Sequence, residues 1–187
     1  MSFLQTNLLA LFNNQSTLVK DIVEKRSFTL GFLGYLAGAF AVTFFGNLTT
    51  GCTVTSFIAQ MIVSLVFFMP FCFFLAAVTH VFLDIFAKSG NALGLFSIIG
   101  ISEFAKLLLV ALGLIGMGIN GGKAFMSLSY MAVVILQFFF LLGLLSKAYE
   151  TSKSMVFVAF IFTMALAGVM LLILLMLPFI LIISAVA

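Results

Sequence analysis

Along the chain, polar residues fall at intervals that leave five apolar stretches between them. A helix needs about 20 apolar residues to cross the roughly 30 Å hydrocarbon core of a bilayer. The pattern predicts spans at about 28–45, 56–81, 102–119, 124–145 and 155–187. Ahead of them, Phe3, Leu4, Leu8, Leu11 and Phe12 share one face of a helix too short to span, which reads as interfacial. After a break at Asn13 to Ser16, Ser16 or Thr17 caps a second short helix carrying Leu18, Val19, Ile22 and Val23, ending near Lys25 and Arg26. Ala92 to Ile101 is apolar but short, and Glu103 and Lys106 interrupt the hydropathy beyond it. This places an interfacial or re-entrant lead-in at 92–101 and the third span from Ser102. The last stretch is longer than a crossing requires, and a tilted helix kinked at Pro178 accounts for it more simply than a hairpin turning at Gly168.

The first span is rich in small residues. Gly34 and Gly38 make a GxxxG step, and Ala37 and Ala41 repeat the spacing, so a second helix can approach closely on that face. Pro70, near the middle of the second span, removes a backbone donor and predicts a kink there. The expected fold class is all-α: one integral membrane domain over 1–187, a polytopic bundle of about five transmembrane helices, preceded by short interfacial helices within 1–26.

Composition strengthens this reading. Of 187 residues, 65% are hydrophobic and 7% charged, with mean hydropathy +1.39. A soluble domain carries roughly a quarter charged residues, so lipid must be the solvent for the outer face. The net charge of +3 comes without a basic run, and no nucleic-acid partner is expected. With the N-terminus inside, the inner segments hold Lys20, Lys25, Arg26, Lys88, Lys106, Lys147 and Lys153, and the outer ones only Lys123. That asymmetry predicts a multi-pass protein of a prokaryotic cytoplasmic membrane, N-terminus cytoplasmic and C-terminus outside. The first sixteen residues have neither a basic region nor a small-residue cleavage site, so no cleavable signal peptide is expected. Cys52 in a polar loop and Cys72 inside a span read as packing residues rather than a disulfide.

Ionisable groups in membrane segments are costly, which makes each a candidate site. His80, Asp84 and Lys88 are spaced i, i+4, i+8, and Glu103 and Lys106 lie one turn apart. A hairpin between spans two and three would bring both sets together as one polar cluster, for a proton, an ion or a partner. The plainer reading puts them at the cytoplasmic interface, pairing with one another or with lipid headgroups. Gln60, Ser64, Gln137 and Thr163 are uncharged polar residues within spans, expected to hydrogen-bond across helices. No HExxH, GxSxG, Walker loop or acidic cluster is present, and the lone histidine has no nucleophile beside it in sequence. Neither enzymatic activity nor a metal or other cofactor is expected.

The order of features resembles the Yip family, Rab-interacting membrane proteins of the early secretory pathway and their short prokaryotic relatives. The resemblance is carried by SFLQTNLLALFNNQSTLVKDIVEKRS before span one, HVFLDIFAKSGNALGLFSIIGISEF after span two, and LLSKAYETSKS between the last two spans. It covers nearly the whole chain, but this sequence lacks the long N-terminal region that meets GTPases in eukaryotic members. It implies five helices, a cytoplasmic N-terminus and a scaffold or partner-binding role in membrane organisation or trafficking. The partners would be the bilayer and a membrane protein or second copy, with contacts through the N-terminal helices and the small-residue face. The alternative is a small transporter or channel for an ion or solute.

Overall fold

The computed structural model describes residues 19–23, 28–48, 50–86, 90–119 and 122–186. The interfacial helix expected at Phe3 to Phe12, the break and caps at 13–17, Lys25, Arg26 and Lys88 lie outside the described residues. Helix α1 spans Thr29–Asn47 and α2 Val54–Phe86. Helix α3 (Ala92–Ser102) runs through a 3-10 segment (Glu103–Leu107) into α4 (Leu108–Met117). Helix α5 covers Gly122–Ala148 and α6 Lys153–Val186. Among the described residues all regular structure is helical. In hydrocarbon this follows from the need of every backbone N–H and C=O to find a partner within its own segment. Among the described residues, five helices are long and apolar enough to cross a membrane, with Ala92–Met117 counting as one.

That continuity corrects the expected third element. The helix does not begin at Ser102. It begins at Ala92, capped by Asn91, whose extended backbone lets its side chain accept from the Gly94 N–H at 2.5 Å. The same side chain donates to the Val23 carbonyl at 2.6 Å. One asparagine thus starts a membrane helix and ties down the turn at 19–23. That turn is helical, and its Val19 and Ile22 are buried in the main core rather than lying on the bilayer surface. The polar pair that interrupts the hydropathy of this segment is accommodated as five residues of 3-10 helix, so the sequence signal for a boundary marks a change of winding instead.

Pro70 stands inside α2, which continues on both sides of it. Pro178 likewise stands inside α6. Gly168 is a helical residue, so 153–186 is one helix and not a hairpin. At the end of α5 the Thr151 N–H reaches back to the Ser146 carbonyl at 3.0 Å, and Glu150 takes the left-handed conformation at φ 48°. This is the closure in which the residue after the cap is usually glycine. Here Glu150 adopts it while its carboxylate meets Lys20 at 2.7 Å.

The core forms where α1 crosses α3. The small-residue face predicted from sequence is used, and used within the chain. A Cβ added to Gly34 would run into the Gly100 carbonyl, one on Gly100 into the Gly31 carbonyl, and one on Gly31 would lie 2.6 Å from Ser97 Cα. Glycines on both helices therefore let two backbones touch. Ala41 is buried and Ala37 partly so. Tyr35 donates its hydroxyl to the Phe96 carbonyl at 2.8 Å across the same crossing. A second, smaller core joins Phe45, Leu109, Met126 and Val133 from α1, α4 and α5. Helix α6 docks through Val156, Ala159 and Phe160 and through Thr163, which accepts from Thr79 of α2 at 3.0 Å. From Met164 to Met170 its residues are exposed, apart from the partly buried Ala167.

Candidate functional site

Glu103 opens the 3-10 segment twelve residues into the Ala92–Met117 helix, about 17 Å from its start. That is near the middle of a crossing. In a 3-10 helix, residues three apart eclipse one another, so Lys106 stands directly over Glu103 and its Nζ lies 2.6 Å from Oε2. The carboxylate's other oxygen accepts from Gln137 Nε2 of α5 at 2.5 Å. Gly38 of α1 leaves the space: a Cβ there would sit 2.5 Å from Oε2. Lys106 also lies over the Phe68 ring of α2, 4.8 Å from its centroid, and a cation over an aromatic face is stabilised by the ring quadrupole. Glu103 is 2% exposed. Removing two charges from water costs several kcal/mol per ion, offset only by close pairing and added hydrogen bonds. The arrangement supplies both, and among the described residues no buried side-chain nitrogen or oxygen lacks a partner.

Beside the pair lies a groove of about 410 Å³. Glu103 and Lys106 form its polar end, α1 contributes Gly38, Ala39 and Val42, and α2 and α5 close it with aromatic residues. Every lining residue belongs to a helix and none to a connection. Phe67, on its outer wall, is 74% exposed. The groove therefore opens sideways, toward the hydrocarbon.

The predicted polar cluster divides. His80 bonds through Nδ1 to the Tyr149 hydroxyl at 2.9 Å, at the end of the bundle where α5 turns into α6. Asp84, one turn further along α2, is exposed. Burial first, and then the Asp84 carboxylate, hold the Tyr149 hydroxyl well above the usual phenol range. Neither His80 nor Asp84 reaches Glu103, which has its own partners. Glu103 and Lys106 pair with one another, as the plainer reading expected, but midway along a helix that starts ten residues earlier than hydropathy suggested, Glu103 buried and Lys106 partly so. Among the described residues no three His, Cys, Asp or Glu side chains gather as metal ligands.

The neutral polar residues meet across helices as expected. Gln137 holds Glu103, Gln60 accepts from Asn47 at 2.6 Å, and Thr163 pairs with Thr79. Ser64 instead lines the groove. Tyr149, Phe68 and Tyr130 carry no periodic signal that separates them from other aromatic residues, and sequence reasoning passed over them. Cys52 is exposed and Cys72 buried, both free. No protein-family profile, curated protein or solved structure matches the chain.

Proposed function

We propose that the chain is a non-enzymatic multi-pass membrane protein, of the Yip-like type its sequence layout suggests, that acts by binding another membrane constituent from within the bilayer. The observation that carries this is the sideways groove ending on a buried ion pair. An intramembrane charged pair marks a site, and a site walled by lipid-facing phenylalanines is open to molecules that dissolve in lipid. The glycine face of α1, by contrast, is occupied by α3 and leaves no room for a partner helix. We place the chain in a prokaryotic cytoplasmic membrane with its N-terminus inside. Lys106 no longer counts as a surface lysine, yet Lys20, Lys147 and Lys153 still flank the end opposite Lys123.

The same ion pair favours one competing reading, a small transporter in which Glu103 couples a proton or cation to solute movement. Purification in mild detergent and reconstitution into vesicles separates the two. The binding reading expects a membrane component, protein or lipid, that copurifies reproducibly and is lost from Ala39→Leu, which adds bulk to the groove lining and keeps both charges. It also expects proton and potassium flux no greater than in empty vesicles. Flux abolished by Glu103→Gln would establish the transporter instead.

A further inference from the structure

Resting on the reading that the groove binds a membrane constituent, the geometry points to a neutral lipid bearing a carbonyl group as its ligand. Three observations narrow the chemistry. The first is charge balance. Glu103 and Lys106 neutralise each other at 2.6 Å, and the other lining residues are uncharged. A charged ligand would bring an uncompensated ion into hydrocarbon, where its cost is several kcal/mol. The occupant is therefore uncharged.

The second is the donor count. An ammonium has three N–H donors and no acceptor. One meets Glu103 Oε2, and the Phe68 face covers part of the remainder. Gln137 spends its two amide donors on Oε1 and on Ser102 Oγ. The polar end of the groove has a charged donor in surplus on Lys106, and the complement to that is a carbonyl oxygen. The third is shape and depth. The volume of about 410 Å³ falls within the range of small-molecule pockets, roughly 300–1,000 Å³. Phe67 and Phe71 form an apolar wall open to lipid, suited to an acyl chain. Because Lys106 lies near mid-crossing, a phospholipid could not bring its carbonyls there without dragging a charged headgroup into the core. A lipid with a small uncharged head, such as a diacylglycerol, could.

Crosslinking tests this with the full chain in phosphatidylcholine nanodiscs. Three photoactivatable alkyl-diazirine probes are compared: a diacylglycerol, an anionic fatty acid and a cationic sphingoid base. The expected result is preferential diacylglycerol labelling of the peptide holding Ser64 to Phe71. Labelling should fall about tenfold in the paired variant Glu103→Gln/Lys106→Met, as for a lost hydrogen bond to a charged donor, and fall likewise in Ala39→Leu. The paired variant removes both charges together, and Ala39→Leu leaves both in place, so a fold defect in one does not obscure the other. Equal labelling by all three probes, labelling spread over every lipid-facing helix, or labelling unchanged in both variants would overturn the assignment. Recovery of a protein or a charged lipid in the copurification experiment, without diacylglycerol labelling here, would refute the ligand and leave the binding role standing.

Discussion

Glu103 and Lys106 are each tolerable because the other is there. Removing one leaves a bare charge among α1, α2 and α5, and breaking a buried pair this way costs about 3–5 kcal/mol. Removing both leaves a polar amide that Gln137 can still hold. Lys106→Met alone should therefore lower the detergent melting temperature more than Glu103→Gln/Lys106→Met does, although it changes fewer atoms. Equal melting temperatures would show that the pair keeps its water. At the other end of the bundle, Tyr149 is held protonated by burial and by Asp84. A phenol that binds its proton more tightly folded than unfolded contributes fully below the unfolded pKa near 10, and that contribution is lost as pH rises from there through the raised folded value. Between the two, the unfolded chain gives up its proton first, so stability should be independent of this group from pH 7 to about 9 and fall above about 10. Tyr149→Phe should flatten that alkaline fall, read by thermal unfolding across pH.

Among helices, the decisive contact is the α1–α3 crossing, where chain meets chain without intervening side chains. Gly34→Ala would place a methyl group on the Gly100 carbonyl and force the helices apart, and a melting-temperature loss of several degrees is expected. Gly143 lies inside α5 with nothing within 4 Å of its added Cβ. There alanine should be neutral or stabilising by up to about 1 kcal/mol, the difference in helix propensity. The GxxxG spacing was visible in the sequence. Its partner was not, because Gly100 lies in a segment whose hydropathy suggested a surface lead-in. Hydropathy measures composition over a window, and a self-neutralising pair looks like two charges to any window. The same blindness placed Glu103 at the headgroups and joined it to His80, while the number of crossings was legible from apolar run length alone.

For the molecule as a whole, the testable statement is its direction in the membrane. Cys52 lies in the exposed connection between α1 and α2, and Cys72 is buried. In intact cells a membrane-impermeant maleimide should label Cys52 from the outer face in a Cys72→Ser background. Labelling only after permeabilisation would invert the proposed topology. The alternation of five helices also puts residues 19–23, Asn91 and Glu150 at one end, held by the Asn91–Val23 hydrogen bond and the Lys20–Glu150 ion pair. The sequence could mark that end as lysine-rich but could not show that it is fastened, since the fastening joins residues up to 130 positions apart.

The winding of the 3-10 segment has a consequence for how the protein is made. Gln137 and the rest of α5 emerge from the ribosome after Lys106, so Glu103 must first meet lipid without its amide partner. Its counter-charge, however, is three residues away on the same helix. The pair can leave the translocon as a neutral unit, and the hydrogen bond from α5 arrives later, once the helix is already in place. Biogenesis of this chain therefore depends on a local geometry of a few residues before it depends on the tertiary fold.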